Sequence, residues 1–195
     1  PDGLGGVWGS FTAWDGTYNR PYAYHLLSTG VAAFAPGVQF FESVYGGGIT
    51  TRLLRDGTGG GFAFVQPWDS GSTGRVLSIS RQQITSTGTL LRGTSGEPFG
   101  SSTEAPSLFD AGNSVLYATI ELPFQGAHSQ LRVQRMNLDG TSVFPGTGTV
   151  VNRPEGTLGI AYPSLSLTAT GVTAVSWGDA RYSTPYGGPM YQGFG

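Results

Sequence analysis

A spacing of 54 residues governs this chain. It separates Asp2 from Asp56, Trp14 from Trp68 and Asp15 from Asp69. The stretch Asp56-Gly57-Thr58-Gly59-Gly60-Gly61-Phe62-Ala63-Phe64-Val65-Gln66-Pro67-Trp68-Asp69-Ser70-Gly71 reads as a glycine-rich turn, an apolar strand, an aromatic residue and an acidic turn. The same order runs from Asp2-Gly3-Leu4-Gly5-Gly6-Val7-Trp8 to Trp14-Asp15-Gly16. A third copy starts at Asp110-Ala111-Gly112-Asn113-Ser114-Val115-Leu116-Tyr117 and ends near Phe124-Gln125-Gly126; a fourth runs from Thr170-Gly171-Val172 to Trp177-Gly178-Asp179. Such self-similarity means one supersecondary unit built several times and stacked on itself.

Within a copy the segments are short. Copy one predicts strands over Val7 to Trp14 and Tyr22 to Leu27, short segments at Val31 to Phe34 and Val38 to Phe41, and a last strand from Ile49 to Leu54. Copy two offers Phe62 to Val65, Arg75 to Arg81, Leu90-Leu91 and Pro98-Phe99-Gly100; copy three, Val115 to Ile120 and Gln130 to Met136. Leu77, Ile79 and Arg81 stand 54 positions before Leu131, Val133 and Arg135, with the alternation of a half-buried strand. Asp139-Gly140 predicts a tight turn after Asn137-Leu138. Copy four supplies Val172 to Trp177 and the start of a second strand at Met190-Tyr191-Gln192. No segment carries a helical period with caps, so helix content is expected near zero.

Composition agrees. Gly numbers 33 and Pro 12 in 195 residues, and aromatic residues make up 12%. Many short strands joined by tight turns have this profile, whereas disordered chains lack the aromatic and β-branched content. All ten basic residues are Arg, against twelve acids, with no basic run. That pattern argues against nucleic acid, which demands clustered cations, and against docking on anionic lipid. There is no Cys, and no apolar run approaches the roughly 20 residues of a membrane-spanning helix. The Pro1 start inside a repeat reads as a processed or truncated chain, and the lysine-free, Gly/Ser/Thr-rich surface as extracytoplasmic (periplasmic, secreted or cell-surface).

A repeat of about 54 residues with about four strands per copy fits a propeller blade, an antiparallel sheet stacked face to face on its neighbours. The expected fold is therefore all-β: a partial β-propeller of about three and a half four-stranded blades, with a β-sandwich as the alternative. The expected single domain, 1–195, divides at about 2–55, 56–109, 110–168 and a partial 169–195. Pro106-Ser107-Leu108 and Pro163-Ser164-Leu165, with the hairpin Gln134-Arg135-Met136-Asn137-Leu138-Asp139-Gly140, make the chain resemble tandem propeller repeats of secreted bacterial proteins. The resemblance covers essentially the whole chain and implies a fold and a setting, not one activity.

Candidate chemistry is sparse. Glu104 to Tyr117 resembles the blade opening of five-bladed glycoside hydrolases, whose catalytic Asp precedes the Pro; here Ala105 holds that place, and Tyr162 holds it before Pro163. Glu104, Asp110, Glu121 and Asp179 are available, but no spacing pairs two of them across a glycosidic bond. His25, among Tyr22 and Tyr24, reads as packing or a hydrogen-bonded edge residue, and His128 as a solvated turn residue. Neither has metal-ligand spacing. Gly57 to Gly61 lacks the Lys and helix of a phosphate loop. Asp15-Gly16, Asp69-Ser70-Gly71 and Asp179 read as turn formers ahead of weak Ca²⁺ ligands.

Trp14, Trp68 and Trp177, with Phe124, recur at the end of the first strand of each copy: core wedges between blades, or glycan platforms if exposed. Tyr182, Tyr186 and Tyr191 lie in an aromatic, loop-rich tail. The expected function is a non-catalytic interaction module, a protein-docking component of a larger assembly, with no cofactor and no metal. Its partners would be other chains or further blades of the same propeller. A glycan-binding lectin and a glycoside hydrolase fragment are the alternatives.

Overall fold

The structure is a computed structural model that describes residues 1–42, 49–67, 77–102, 107–121, 130–151, 160–167, 173–183 and 189–194. They form an all-β protein, in four antiparallel sheets and without a helix among them. The chain divides into two compact units, Pro1–Gly100 and Ser101–Gly195.

The first unit holds two sheets. Sheet 1 has the order β1 (Val7–Trp14), β2 (Asn19–Leu26), β3 (Val38–Gln39); sheet 2 runs β4 (Ile49–Arg55), β5 (Gly61–Pro67), β6 (Leu77–Ile84), β7 (Glu97–Ser102). They pack face to face. Trp8, Ala23 and Phe40 of sheet 1 meet Ala63, Val65 and Ile84 of sheet 2, with Phe34, Val38, Ile49, Leu53 and Leu90 around them. The second unit repeats the plan. Sheet 3 runs β8 (Ser107–Asp110), β9 (Ser114–Glu121), β10 (Gln130–Asn137), β11 (Thr149–Val150), and sheet 4 runs β12 (Ile160–Leu167), β13 (Thr173–Ser183), β14 (Pro189–Phe194). Leu116, Ala118, Ile120, Leu131 and Val133 of sheet 3 bury against Leu165, Val175 and Trp177 of sheet 4. In both units the opening strand of the later sheet lies over the earlier one: β4 chiefly over β1 and less over β2, β12 chiefly over β8 and β9 and less over β10.

Like turns recur along the chain. Asp2 Oδ1 accepts the amides of Leu4 (2.7 Å) and Gly6 (2.8 Å), Asp56 Oδ1 that of Thr58 (2.8 Å), and Asp110 Oδ1 that of Gly112 (2.7 Å). Each is an aspartate turn that feeds the next strand. Gly6 and Gly60 follow because a Cβ there would strike the Leu26 and Ile84 carbonyls at 2.3 and 2.5 Å. After the third strand position the chain turns identically three times. Leu27 N–H donates to Val31 O, Thr85 N–H to Thr89 O and Asn137 N–H to Thr141 O, each at 2.9 Å, with Gly30, Gly88 and Gly140 at φ 79°, 90° and 89°.

Two buried amides finish the motif. Gln82 Oε1 accepts the amides of Gln83 and Arg92; Gln134 Oε1 accepts those of Arg135 and Phe144, and Gln134 Nε2 donates to Phe144 O. The clamp fastens a returning loop to the sheet, and a buried side-chain amide that satisfies several backbone groups is costly to remove.

Three expectations are corrected or refined. First, the pairing partners show that Ile79 corresponds to Leu131 and Arg81 to Val133, a spacing of 52 rather than 54. The error is even, so it preserved the in-out alternation while misplacing every residue by two. Second, the short segments Val31 to Phe34 and Leu90-Leu91 pair through a single residue each. The glycine turns bring back one residue only, giving the isolated bridges Leu26–Ala32 and Ile84–Leu90. Third, the strand expected to end at Arg81 runs on to Ile84 as β6, Leu77–Ile84; Arg75 and Val76 lie outside the described residues. The strands that close the sequence copies, β4 and β8, pair forward into sheets 2 and 3.

Candidate functional site

The site is best built from β1, because its surroundings differ from those of its counterparts. Trp8, Phe62 and Leu116 stand at one register position in β1, β5 and β9, opposite His25, Gln83 and Arg135. β5 is hydrogen-bonded between β4 and β6, β9 between β8 and β10, and β13 between β12 and β14. β1 pairs with β2 alone among the described residues.

The two faces of sheet 1 are unlike. Trp8, Ser10, Ala23 and His25 face sheet 2, and Ser10 Oγ lies 2.9 Å from Thr51 Oγ1. Val7, Gly9, Phe11 and Ala13 point the other way with Tyr22, Tyr24 and Leu26 opposite them. On this outer face the Phe11 ring stacks on Tyr22 at 5.3 Å and leans on Tyr24 at 6.4 Å. Val7 and Phe11 are exposed, and Tyr22 and Tyr24 are half-buried. Gly9 is required beneath them: a Cβ there would lie 2.1 Å from the Tyr24 ring.

A polar strut braces the same sheet from behind. Asp2 and His25 are both buried, with His25 Nε2 2.8 Å from Asp2 Oδ2 and Nδ1 3.4 Å from the Ser86 carbonyl. The imidazole lies flat on Trp8, centroids 4.4 Å apart and 2° between planes. Its hydrogen bond, then the Leu4 and Gly6 amides, holds the Asp2 carboxyl at about 2, below its ordinary 3.8. His25 is thus packed and hydrogen-bonded, in a strand flanked on both sides rather than at an edge. In sheet 2 the aspartate is kept and the histidine is not: Asp56 Oδ2 accepts from Gln83 Nε2 at 3.3 Å.

Of the three tryptophans, the two among the described residues, Trp14 and Trp177, do not share one position. Trp14 ends β1 opposite Asn19 and is 59% exposed. Trp177 lies inside β13, opposite the bulge between Ala161 and Ser164, and packs against the Leu116, Ala118, Ile120 cluster. By register it matches Phe11, three residues before Trp14. Trp68 and Phe124 lie outside the described residues, as do His128, Glu104, Asp69-Ser70-Gly71 and Tyr186. Asp15 Oδ1 accepts the Thr17 and Tyr18 amides at 2.8 and 2.7 Å, and Arg20 Nε donates to Oδ2 at 2.7 Å. Asp110 likewise serves its own turn. Glu121 ends β9, while Asp179 and Tyr182 lie within β13 and Tyr191 within β14. Among the described residues no three His, Asp or Glu side chains gather as a metal site would require, and no helix is long and apolar enough to cross a membrane.

The outer aromatic face of sheet 1 was not singled out in the sequence. Its signal was present: aligned at 54, Phe11 takes the place of Val65 and Thr119. Tyr24 stands where the loop-clamping Gln82 and Gln134 stand in the later copies. No known protein family, no curated protein and no solved structure matches this chain.

Proposed function

We propose that this protein is a non-catalytic docking module: a run of β-propeller blades that joins other protein chains in an extracytoplasmic assembly. The observation that carries the reading is the half-free β1. In each later sheet the strand at its position has a neighbour on both sides, and in sheet 1 that neighbour is missing among the described residues. An open strand edge beside an exposed aromatic face is a template for another chain. The propeller reading rests on the like stacking of β4 on sheet 1 and β12 on sheet 3, and on the turn repeated three times. The setting rests on the lysine-free, Gly/Ser/Thr-rich composition. Against catalysis stand the turn duties of Asp2, Asp15, Asp56 and Asp110, each of which accepts backbone amides.

Amide hydrogen exchange on the full chain tests it. About half of the β1 amides, those turned away from β2, should exchange within seconds in the isolated chain and slow at least about tenfold in its assembly. Uniform protection of β1 in a chain shown to be monomeric would mean the edge is already closed, and the docking reading would fall. The glycan-binding reading keeps one observation, the exposed ring of Trp14. It loses the recurring platform, since Trp177 is packed against a core.

A further inference from the structure

We infer that the partner seated on the aromatic face of sheet 1 is a second copy of this chain, which offers the far face of its sheet 4. The inference rests on the docking reading and names its occupant. It starts from the way sheets already mate in this molecule. Each of the two stacked pairs brings together opposite kinds of face. The later sheet contributes Ala63, Val65 and Ile84, or Leu165, Val175 and Trp177. The earlier sheet contributes Trp8 and Ala23, or Leu116, Ala118 and Ile120.

By register, the outer face of sheet 1 is of the first kind. Val7, Gly9, Phe11 and Leu26 occupy the positions that in sheet 2 are Gly61, Ala63, Val65 and Ile84, all buried against sheet 1. The far face of sheet 4 is of the second kind, turned away from sheet 3. There Ser164, Ser166, Ala174 and Ser176 alternate with the packed Leu165 and Val175, and all four are exposed. Phe62 and Phe64 on the far face of sheet 2, and Val115 and Tyr117 on the far face of sheet 3, are buried, so among the described residues the exposed face of the first kind is on sheet 1 and that of the second kind on sheet 4. Two copies supply a complete pair, in a head-to-tail contact that uses different surfaces on the two partners.

The shapes suit each other. Phe11, Tyr22 and Tyr24 project from sheet 1, and the described exposed residues of β12 and β13, Ser164, Ser166, Ala174 and Ser176, are all small. Large-on-small seating is already used within the chain, where the Trp8 ring lies over Gly61 at a distance that leaves a Cβ only 3.2 Å. The charged side chain at the rim, Arg20 opposite Ala13, is held by Asp15, so the centre of the contact is uncharged and aromatic, as interface centres are.

The test is sedimentation velocity of the full chain from roughly micromolar to roughly millimolar concentration, with two exposed sites changed: Phe11→Arg on sheet 1 and Ser176→Arg on sheet 4. The wild type should self-associate, and each variant alone should weaken association at least about tenfold. Because the contact joins unlike faces, an equimolar mixture of the two variants should recover a heterodimer through its one intact pair of faces. Val7→Arg should repeat the Phe11→Arg result, and circular dichroism on each variant separates loss of association from loss of fold. A wild type that stays monomeric overturns the inference, as does a Ser176→Arg chain that associates normally. In that second case loss through Phe11→Arg alone would leave the docking reading standing with a different occupant. If the β1 amides also prove fully protected in the monomer, both fall.

Discussion

Sheets 1 and 2 present the same register positions to different surroundings. In sheet 2, Val65 is 1% exposed and Ile84 fully buried, because sheet 1 lies on top of them. In sheet 1 Phe11, the match of Val65, is 44% exposed, and Leu26, the match of Ile84, is half-buried. A strand does not bury a residue by itself; the next layer does, and here the uncovered layer carries the larger apolar side chains. A face meant for water alternates polar outward residues, whereas this one sets Phe, Tyr and Val outward.

The largest effect should separate these two faces by stability. Ile84→Ala opens a cavity between stacked sheets and should cost about 2–5 kcal/mol in urea denaturation of the monomeric chain. Leu26→Ala, at the same register in sheet 1 and only half-buried, should cost less than about half of that. Equal losses would break the comparison, since they would require a hidden layer over sheet 1.

A second contrast lies in the loop clamps. Gln134→Ala orphans the Arg135 and Phe144 amides, and Gln82→Ala those of Gln83 and Arg92, so each should cost about 1–3 kcal/mol. Tyr24→Phe, at the corresponding place in sheet 1, keeps its ring against Phe11 and should change stability by less than about 0.5 kcal/mol. A Tyr24→Phe cost equal to that of the glutamines would mean that sheet 1 uses a polar clamp as well.

These contrasts show what could be read from residues alone. The Asp2, Asp56 and Asp110 turns were legible because an aspartate turn and its glycine are local, set within four residues. Strand identity was legible because apolar alternation survives any even shift. The pairing register of β6 was not. It depends on the length of the 68–76 connection against 15–18 and 122–129, and a spacing taken from aspartates and tryptophans carries no information on it. Trp177 was misplaced for a similar reason. The end of a strand was inferred from an aromatic followed by Gly-Asp, whereas β13 continues to Ser183. The aromatic outer face escaped notice because Phe11 and Tyr22 meet only through pairing, eleven positions apart in sequence.

Acid should sharpen the comparison between the two kinds of carboxylate in sheet 1. Both Asp2 and Asp15 titrate at about 2, below their ordinary 3.8. A carboxyl lowered in the folded state adds stability that is complete above its unfolded value and is lost as pH falls through the folded one. The stability the pair confers should therefore fade between about pH 4 and pH 2. Asp2→Asn should remove part of that acid limb whatever the salt, because His25 and two amides hold the carboxylate in a buried setting. Asp15→Asn should remove a smaller part, and added salt should shrink it further, since the Arg20 pair is half in water. Denaturation midpoints across that range at two ionic strengths decide it; a salt-dependent Asp2 would place the strut in solvent.

The smallest expected effect is that of Trp14→Ala, at one of the two tryptophans of β1, six residues apart on the same side of the strand. Trp8 is pressed between His25 and sheet 2, and Trp14 stands free of that core at the hairpin end. Trp8→Ala should fall in the range of a buried aromatic, about 3–5 kcal/mol, whereas Trp14→Ala should stay within about 0.5 kcal/mol. An exposed indole that contributes nothing to folding is available for a ligand, and stability alone does not say whether one comes. Fluorescence of the wild type and of Trp14→Ala, titrated with a neutral β-linked oligosaccharide, supplies the missing axis. On the docking reading the emission does not move in either chain. A saturable shift in the wild type that disappears in Trp14→Ala would transfer the function from the aromatic face of sheet 1 to the hairpin end, and with it the choice between a protein partner and a glycan.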